Sequence, residues 1–157
     1  MISHHFITIN APVDAIYREI VLWGESAWWP DESPMKYSRT DLGEVRVGTC
    51  FHQKVYKPFA PEWDVEVISI TPGYEISRRF ITGMFRGTDQ VYIKQSEKAN
   101  EVHFLMDYEV MGGINRILWK LAYRRMHDEN IVRILNAMKS ALEGAEIPAR
   151  GQAGGMK

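Results

Sequence analysis

The chain has little cysteine, almost no net charge and no long apolar run. Its single cysteine, Cys50, excludes a disulfide within the chain and fits a reducing compartment. Nineteen basic and twenty acidic residues leave a net charge of -1, so no overall field attracts nucleic acid or anionic lipid. No run approaches the roughly 20 apolar residues of a membrane span, and the first residues, MISHHFITINAP, lack the pattern of a secretion signal. We therefore expect a cytoplasmic protein that neither binds nucleic acid nor inserts stably into a membrane.

Bulky side chains are plentiful for a chain of this length. The 157 residues include five Trp, seven Tyr, six Phe and eight Met, which suit either a large core or an irregular hollow lined for a ligand. The length predicts one domain, which we place at residues 1–144. Residues 145–157 are polar and rich in glycine, and we expect them to form a flexible tail.

The order of patterns along the chain indicates an α+β fold. An alternating segment at 4–10 predicts a strand, and apolar residues at helical spacing predict a helix at 12–22, followed by a second short helix at 25–29. Six further segments read as strands separated by short turns, which is typical of an antiparallel meander: 35–41, 47–56, 62–71, 74–82, 89–95 and 101–111.

A long helix is predicted at 114–143, because this segment contains neither proline nor glycine. Its apolar stripe begins at Ile114, Ile117, Leu118 and Leu121 and resumes at Ile131. At about 100° per residue the two halves point roughly 90° apart, so we expect a bend near 125–128.

This order, with the segments NAPVDAIYREI, VGTCF and EWDVEVISITPGYEI and the long final helix, resembles the START or Bet v 1-like superfamily. The same group is called SRPBCC or polyketide cyclase/dehydrase-like, and the resemblance covers about residues 3–143. It implies a helix-grip fold, in which a curved antiparallel sheet of about seven strands wraps around a long C-terminal helix, with two short helices after the first strand. It also implies an apolar small molecule bound between sheet and helix, as in lipid-, polyketide- or aromatic-binding members.

Strand parity identifies the residues that would line such a space. In 102–110 the apolar residues share one parity and the polar residues share the other almost completely, which assigns an inward face. The same rule turns Tyr74 inward with its strand neighbours. The candidate lining residues on the strands are Phe51, Trp63, Val65, Val67, Ile76, Arg78, Phe80, Phe104, Met106 and Tyr108, and those on the helix are Leu121 and Asp128.

Two segments allow two interpretations each. Trp28 and Trp29 would either stand at the mouth of the cavity or, with Trp23, cap the core. Met84 and Phe85, between two glycines, would either gate the cavity or only turn a corner.

Polar candidates are few. A buried Arg78 needs a partner, and Asp128 on the helix is the predicted one, either as a rim ion pair or as a recognition pair. His4 and His5 are adjacent on a strand and point to opposite faces, which excludes joint chelation, and we expect neither a metal nor a cofactor. Cys50 is expected to be buried and inert.

Three classes of function remain open at this point. The first is a carrier of a hydrophobic small molecule, favoured by the scarcity of inward acids and bases. The second is a cyclase, dehydratase or hydrolase in which Arg78, Tyr108, Tyr123, His127 or Asp128 holds an enolate or moves protons. The third is an interaction or quinone-chaperone-like module, for which Trp119 and Tyr123 are the candidates for an exposed apolar patch.

Overall fold

Seven antiparallel strands form one sheet that curls around a long C-terminal helix. The computed structural model describes residues 1–39, 41–57 and 60–144, so the predicted tail lies outside the described residues. The strands are β1 (Ile2–Ile9), β2 (Met35–Ser38), β3 (Cys50–Val55), β4 (Glu62–Thr71), β5 (Glu75–Phe80), β6 (Phe85–Lys94) and β7 (Asn100–Val110). They follow the order β1-β7-β6-β5-β4-β3-β2. This is the α+β helix-grip architecture that the sequence predicts.

The inward face of β7 matches its sequence pattern. Val102, Phe104, Met106, Tyr108 and Val110 are all buried on the concave side. β6 pairs with β7 over its whole length, from Phe85 opposite Val110 to Lys94 opposite Glu101. The strand begins four residues before the predicted 89, because this pairing continues through Gly87.

Gly87 is required where β6 pairs with the C-terminal end of β7, opposite Tyr108. Its φ is +126°, and a Cβ at this position would overlap the carbonyl oxygen of Asp107. Only glycine tolerates both the backbone angle and the close approach.

One helix, rather than two, follows the first strand. α1 (Val13–Val21) buries Ile16 and Ile20, and its predicted position is confirmed. The second helix at 25–29 is wrong, since residues 22–30 form successive turns. Glu19 accepts hydrogen bonds from Ser26 Oγ (2.9 Å) and Trp28 Nε1 (2.6 Å), which fold the segment back onto α1.

The C-terminal helix is interrupted by a π-helical turn. α2 (Gly113–Leu118) leads into the π-helical turn Trp119–Tyr123, and α3 (Arg124–Gly144) follows. The predicted irregularity therefore exists, but it lies before 125–128. The wider turn shifts the helical phase, so Trp119 and Tyr123 turn towards the sheet.

The structure confirms one half of the predicted apolar stripe and contradicts the other. The second half is confirmed, because Ile131, Ile134, Leu135 and Met138 are buried against the sheet. The first half is wrong: Ile114, Ile117, Leu118 and Leu121 face solvent. Tyr74, predicted to point inward, is also exposed, because it lies in the turn before β5.

Candidate functional site

Two small voids remain between the sheet and α3, each of about 10 Å³. That volume holds roughly one water molecule, so protein side chains fill most of the gap. The inner void is lined by Met35, Tyr37, Gln53, Trp63, Phe80, Asp89, Phe104, Met106, His127 and Ile131. The outer void is lined by Pro34, Met35, Val55, Pro61, Trp63, Trp119, Tyr123, Met126, His127 and Asn130.

The structure brings most of the predicted lining residues into one core. Four of them line the inner void: Trp63, Phe80, Phe104 and Met106. Seven others are buried in the same core: Phe51, Val65, Val67, Ile76, Met84, Phe85 and Tyr108. Leu121 does not belong to this set, because it is 80% exposed on the outer side of the helix.

Arg78 pairs with Asp89, and the predicted pairing with Asp128 is wrong. Arg78 Nε donates to Asp89 Oδ1 at 2.6 Å, and the two side chains are 0% and 4% exposed. The two residues lie opposite each other on β5 and β6. Burial raises the pKa of the Asp89 carboxyl, while the Arg78 charge opposes that rise. Asp89 lines the inner void, so the pair places an ionic group in an apolar wall.

Asp128 has other partners near the surface. Its Oδ1 accepts a hydrogen bond from Ser3 Oγ (2.8 Å) and lies 3.2 Å from His5 Nε2. Hydrogen bonding from His127, together with that from Ser3 and His5, lowers the pKa of the Asp128 carboxyl well below its usual range. This cluster ties β1 to α3.

Several buried polar atoms in this core have no hydrogen-bond partner among the described residues, and among their residues Gln53, Trp63 and Asn130 line the voids. They include Gln53 Nε2, Trp63 Nε1, both terminal nitrogens of Arg78, and both side-chain atoms of Asn130. An unpaired buried polar group costs about 1–3 kcal/mol. Most of these atoms are donors, so the site is rich in hydrogen-bond donors without acceptors.

Tyr37 adds a phenol to the wall of the inner void. Burial raises the pKa of this phenol to about 12, while the Arg78 charge opposes the rise. The phenol is therefore protonated over the physiological range and can donate a hydrogen bond.

His127 and Trp119 separate the voids from the surface. His127 lines both voids, and its ring lies 5.5 Å from the Trp119 ring and 6.1 Å from that of Phe104. Trp119 Nε1 donates to the Tyr108 hydroxyl at 3.0 Å, which holds the indole against the sheet. Phe85 packs edge-on against the same indole at 4.8 Å.

Two open grooves flank the α2 segment. One, of about 540 Å³, is lined by Met1, Tyr108, Glu109, Val110, Arg116, Trp119, Lys120 and Arg124. The other, of about 290 Å³, is lined by Pro61, Glu62, Gly83, Met84, Asn115, Leu118 and Tyr123. Trp119 and Tyr123 each line a groove and the outer void, so these two side chains form the wall between the surface and the interior.

Solved structures of other proteins share this architecture. The protein TTHA0849 from Thermus thermophilus superposes with a TM-score of 0.71 at 15% identity, covering 93% of this chain and 99% of that one. Norcoclaurine synthase from Thalictrum flavum, in complex with dopamine and hydroxybenzaldehyde, matches at 0.66 and 16%, covering 93% and 88%. Ginseng major latex-like protein 151 from Panax ginseng matches at 0.66 and 12%, covering 90% and 97%. The chain has a Bet v 1-like fold. No protein-family model matches the sequence, and a search of curated proteins finds no relative.

Within this Bet v 1-like fold, the tryptophan-rich segment packs on the core. Trp23 is fully buried and stacks on Phe104, with ring centroids 5.9 Å apart. Trp29 packs edge-on against Trp23 (5.6 Å) and Tyr37 (5.1 Å), and it is half-buried like Trp28. The core-capping interpretation therefore describes Trp23, and the segment contacts the lining of the voids through Phe104, Met35 and Tyr37.

Two further expectations concern isolated residues. Cys50 is exposed, so its predicted burial is wrong. Among residues 1–39, 41–57 and 60–144, no group of three or more His, Cys, Asp or Glu is placed to hold a metal ion. None of the described helices combines the length and the apolarity needed to cross a membrane.

Sequence reasoning missed several residues of the site. Gln53 has the same strand parity as Phe51, and Asp89 has that of Val91 and Ile93, so parity signals both. Asn130 lies one residue before Ile131 and three after His127, on the buried face of α3. For Gln53, Asp89 and Asn130 alike, a polar residue on an otherwise apolar face of its strand or helix indicates membership of the site.

Proposed function

We propose that the protein binds a small, largely apolar molecule between the sheet and α3, and that this molecule carries a hydrogen-bond acceptor. A lipid, a polyketide or an aromatic compound fits this description. The observation that carries the proposal is the set of unpaired donors around the inner and outer voids, in an otherwise apolar core.

The energetics favour a binding role for these donors. Apolar residues of similar size would remove the cost of burying Gln53, Asn130 and the ends of Arg78 unpaired. A buried ion pair such as that of Arg78 and Asp89 contributes little net stability compared with apolar replacements. A carbonyl, carboxylate or phenolate on a ligand would accept the available hydrogen bonds, and its apolar remainder would contact Phe104 and Met106.

Access requires a change in the α2 segment. The voids of about 10 Å³ are too small for an organic molecule, whereas the flanking grooves of about 540 and 290 Å³ are ligand-sized. Displacement of the Trp119 and Tyr123 side chains would join the grooves to the interior. None of the six residues of α2 is buried, so α2 can follow this movement with little loss of packing, while Trp119 gives up its burial and its hydrogen bond to the Tyr108 hydroxyl.

Asn130→Leu tests the proposal directly. The change removes two unpaired polar atoms at nearly constant volume, so we expect the free protein to be stabilised by about 1 kcal/mol or more. The same change removes a donor from the site, so we expect weaker binding of anilinonaphthalene sulfonate, an apolar fluorophore with an acceptor group. Asn136→Leu is the matched control, since Asn136 lies on the exposed face of α3.

Fluorescence titration measures the binding, and thermal unfolding measures the stability. Equal affinity in the two variants and the parent protein would contradict the proposal, as would destabilisation of Asn130→Leu with unchanged binding. Native mass spectrometry of the purified protein would identify a molecule that co-purifies with it.

Catalysis at the same void is the second candidate. His127 and Asp89, both able to exchange protons, line the inner void together with the Tyr37 phenol. A cyclase- or dehydratase-type reaction on a polyketide-like or aromatic substrate would use these groups. Turnover that is lost in His127→Gln while ligand affinity is retained would favour this candidate over simple binding.

We also infer a cytoplasmic location, which the exposed thiol of Cys50 supports. A free and exposed cysteine is kept reduced in that compartment. Localisation of a tagged chain by cell fractionation tests this inference.

A further inference from the structure

The α2 segment and the π-helical turn present an unusual outer surface. Its apolar part consists of Ile114, Ile117, Leu118 and Leu121, which are 77%, 60%, 43% and 80% exposed. The spacing of three and four residues places Ile114, Ile117 and Leu118 on one side of α2, and Leu121, in the π-helical turn that follows, is also exposed. Four exposed aliphatic side chains on two helical turns form a patch of the kind that marks an interaction site.

This surface carries a local excess of positive charge. Between Glu109 and Asp128 the chain contains four cationic residues and no acidic one: Arg116, Lys120, Arg124 and Arg125. All four are exposed. Arg125 Nε donates to Glu129 Oε1 at 2.7 Å and Arg116 Nε donates to the carbonyl oxygen of Val110 at 2.9 Å, so Lys120 and Arg124 contribute most of the excess. The net charge of the whole chain is only -1, so this concentration of positive charge is local.

We propose that this surface docks the protein onto a membrane that contains anionic lipid. We call it the docking face: Ile114, Ile117, Leu118 and Leu121 with Arg116, Lys120, Arg124 and Arg125. A helix with an aliphatic side and flanking cations lies in the interface of a bilayer, with the aliphatic side chains among the acyl chains and the cations at the phosphates.

Charge complementarity selects the membrane over a second copy of the chain. In a symmetric dimer the docking face would pack on itself and bring the same four cations together, which is unfavourable. Anionic headgroups supply the opposite charge along the whole face. Arg116, Lys120 and Arg124 also line the groove of about 540 Å³ together with one carboxylate, Glu109, which places a headgroup-sized hollow with net positive charge beside the aliphatic residues.

The attachment of the segment to the protein suits this role. Trp119 is the only residue of Gly113–Arg125 that is buried in the described structure, and its side chain lines the outer void. Docking therefore places the bilayer next to the wall of the interior. The membrane interaction itself does not depend on the proposed ligand.

Vesicle flotation tests the docking face. We expect the protein to float with phosphatidylcholine vesicles that contain about 30 mol% phosphatidylserine, and to stay in solution with phosphatidylcholine alone. Binding should fall at about 0.5 M salt, because screening weakens the attraction of the cations.

Two double variants separate the apolar and the cationic contributions. Ile117→Asp with Leu121→Asp removes aliphatic contacts and adds negative charge, so vesicle affinity should fall by about tenfold or more. Lys120→Gln with Arg124→Gln should lower it by about tenfold as well. Val132→Asp and Arg133→Gln are the matched controls, because both residues are exposed on α3 away from the docking face.

The outcomes are decisive in both directions. All substituted residues are exposed, so circular dichroism should show folded proteins with nearly unchanged melting temperatures. Failure of the parent chain to bind anionic vesicles would overturn the proposal, as would equal losses in the variants and their controls. Concentration-dependent dimerisation that Ile117→Asp abolishes, without vesicle binding, would assign the face to self-association instead.

Discussion

The buried pair of Arg78 and Asp89 gives the sharpest prediction of energetics. Asp89→Leu leaves the Arg78 guanidinium charged, buried and without its only observed ion-pair partner among the described residues. Removing one partner of such a pair costs about 3–5 kcal/mol. In a chain of this size that corresponds to a fall in melting temperature of about 6–20 °C.

Arg78→Met should behave differently. Burial already raises the pKa of Asp89, and loss of the Arg78 charge, which lowers it, raises it further. The folded state of this variant then holds the Asp89 proton at a pH where the unfolded state has released it. The contribution of the Asp89 carboxyl to the free energy of unfolding is thus fully present below its unfolded pKa and is lost as pH rises through its folded pKa. We expect the loss of stability in Arg78→Met, relative to the parent protein, to grow as pH rises above the unfolded pKa of about 4.

The double variant, Arg78→Met with Asp89→Leu, removes both charges together. We expect its stability to lie within about 1 kcal/mol of the parent protein or above it, while ligand affinity falls. Urea unfolding followed by circular dichroism gives the three free energies. A cost below about 1 kcal/mol for Asp89→Leu, or a double variant as unstable as the sum of the two single ones, would refute the reasoning.

Other perturbations test separate parts of the structure. Burial raises the pKa of the Tyr37 phenol to about 12, so the unfolded chain ionises first as pH rises; between about pH 9 and pH 11 the parent should lose about 1 kcal/mol more than Tyr37→Phe in urea unfolding. Gly87→Ala should cost more than about 2 kcal/mol, because its Cβ would strike the carbonyl oxygen of Asp107; an unchanged melting temperature would exclude that overlap. The pKa of Asp128 is lowered in the folded protein, so its contribution to the free energy of unfolding is present above the unfolded pKa and is lost as pH falls through the folded pKa. Asp128→Asn should lower the free energy of unfolding by about 1 kcal/mol at pH 7, and its stability should fall less steeply than that of the parent protein as the pH becomes acidic. Equal slopes for the two proteins at acidic pH would contradict the lowered pKa.

The sheet could be predicted from the sequence because its signal is local. Nearly complete alternation in β7 indicates which side chains face the core, and the bounds of β4 coincide with the predicted 62–71. Short turns between consecutive strands then require the antiparallel order that the structure shows.

The ion pair of Arg78 and Asp89 was not predicted, because the predicted start of β6 at 89 is too late. Arg78 and Asp89 are opposite each other in the hairpin of β5 and β6. Starting the second strand at 89 removes the pairing that brings them together, and Asp128 on the helix was the predicted partner. A strand that begins at Phe85 yields the correct partner by register alone.

The outward turn of the α2 segment could not be read from periodicity. Ile114 and Leu121 fit an inward stripe at about 100° per residue, but the π-helical turn changes the phase and buries Trp119 instead. The void volumes were equally inaccessible, since they depend on how side chains from several strands fill the space beside α3.

The central claim is that unpaired hydrogen-bond donors inside the core bind an acceptor group of a small molecule. Nitrogen–proton correlation spectra observe these groups individually: the indole N–H of Trp63 and the side-chain amides of Gln53 and Asn130. During titration with anilinonaphthalene sulfonate we predict saturable shifts of all three signals at about one equivalent. Saturation in which these signals stay in place, while those of exposed residues such as Ile117 and Leu121 move, would contradict an internal site.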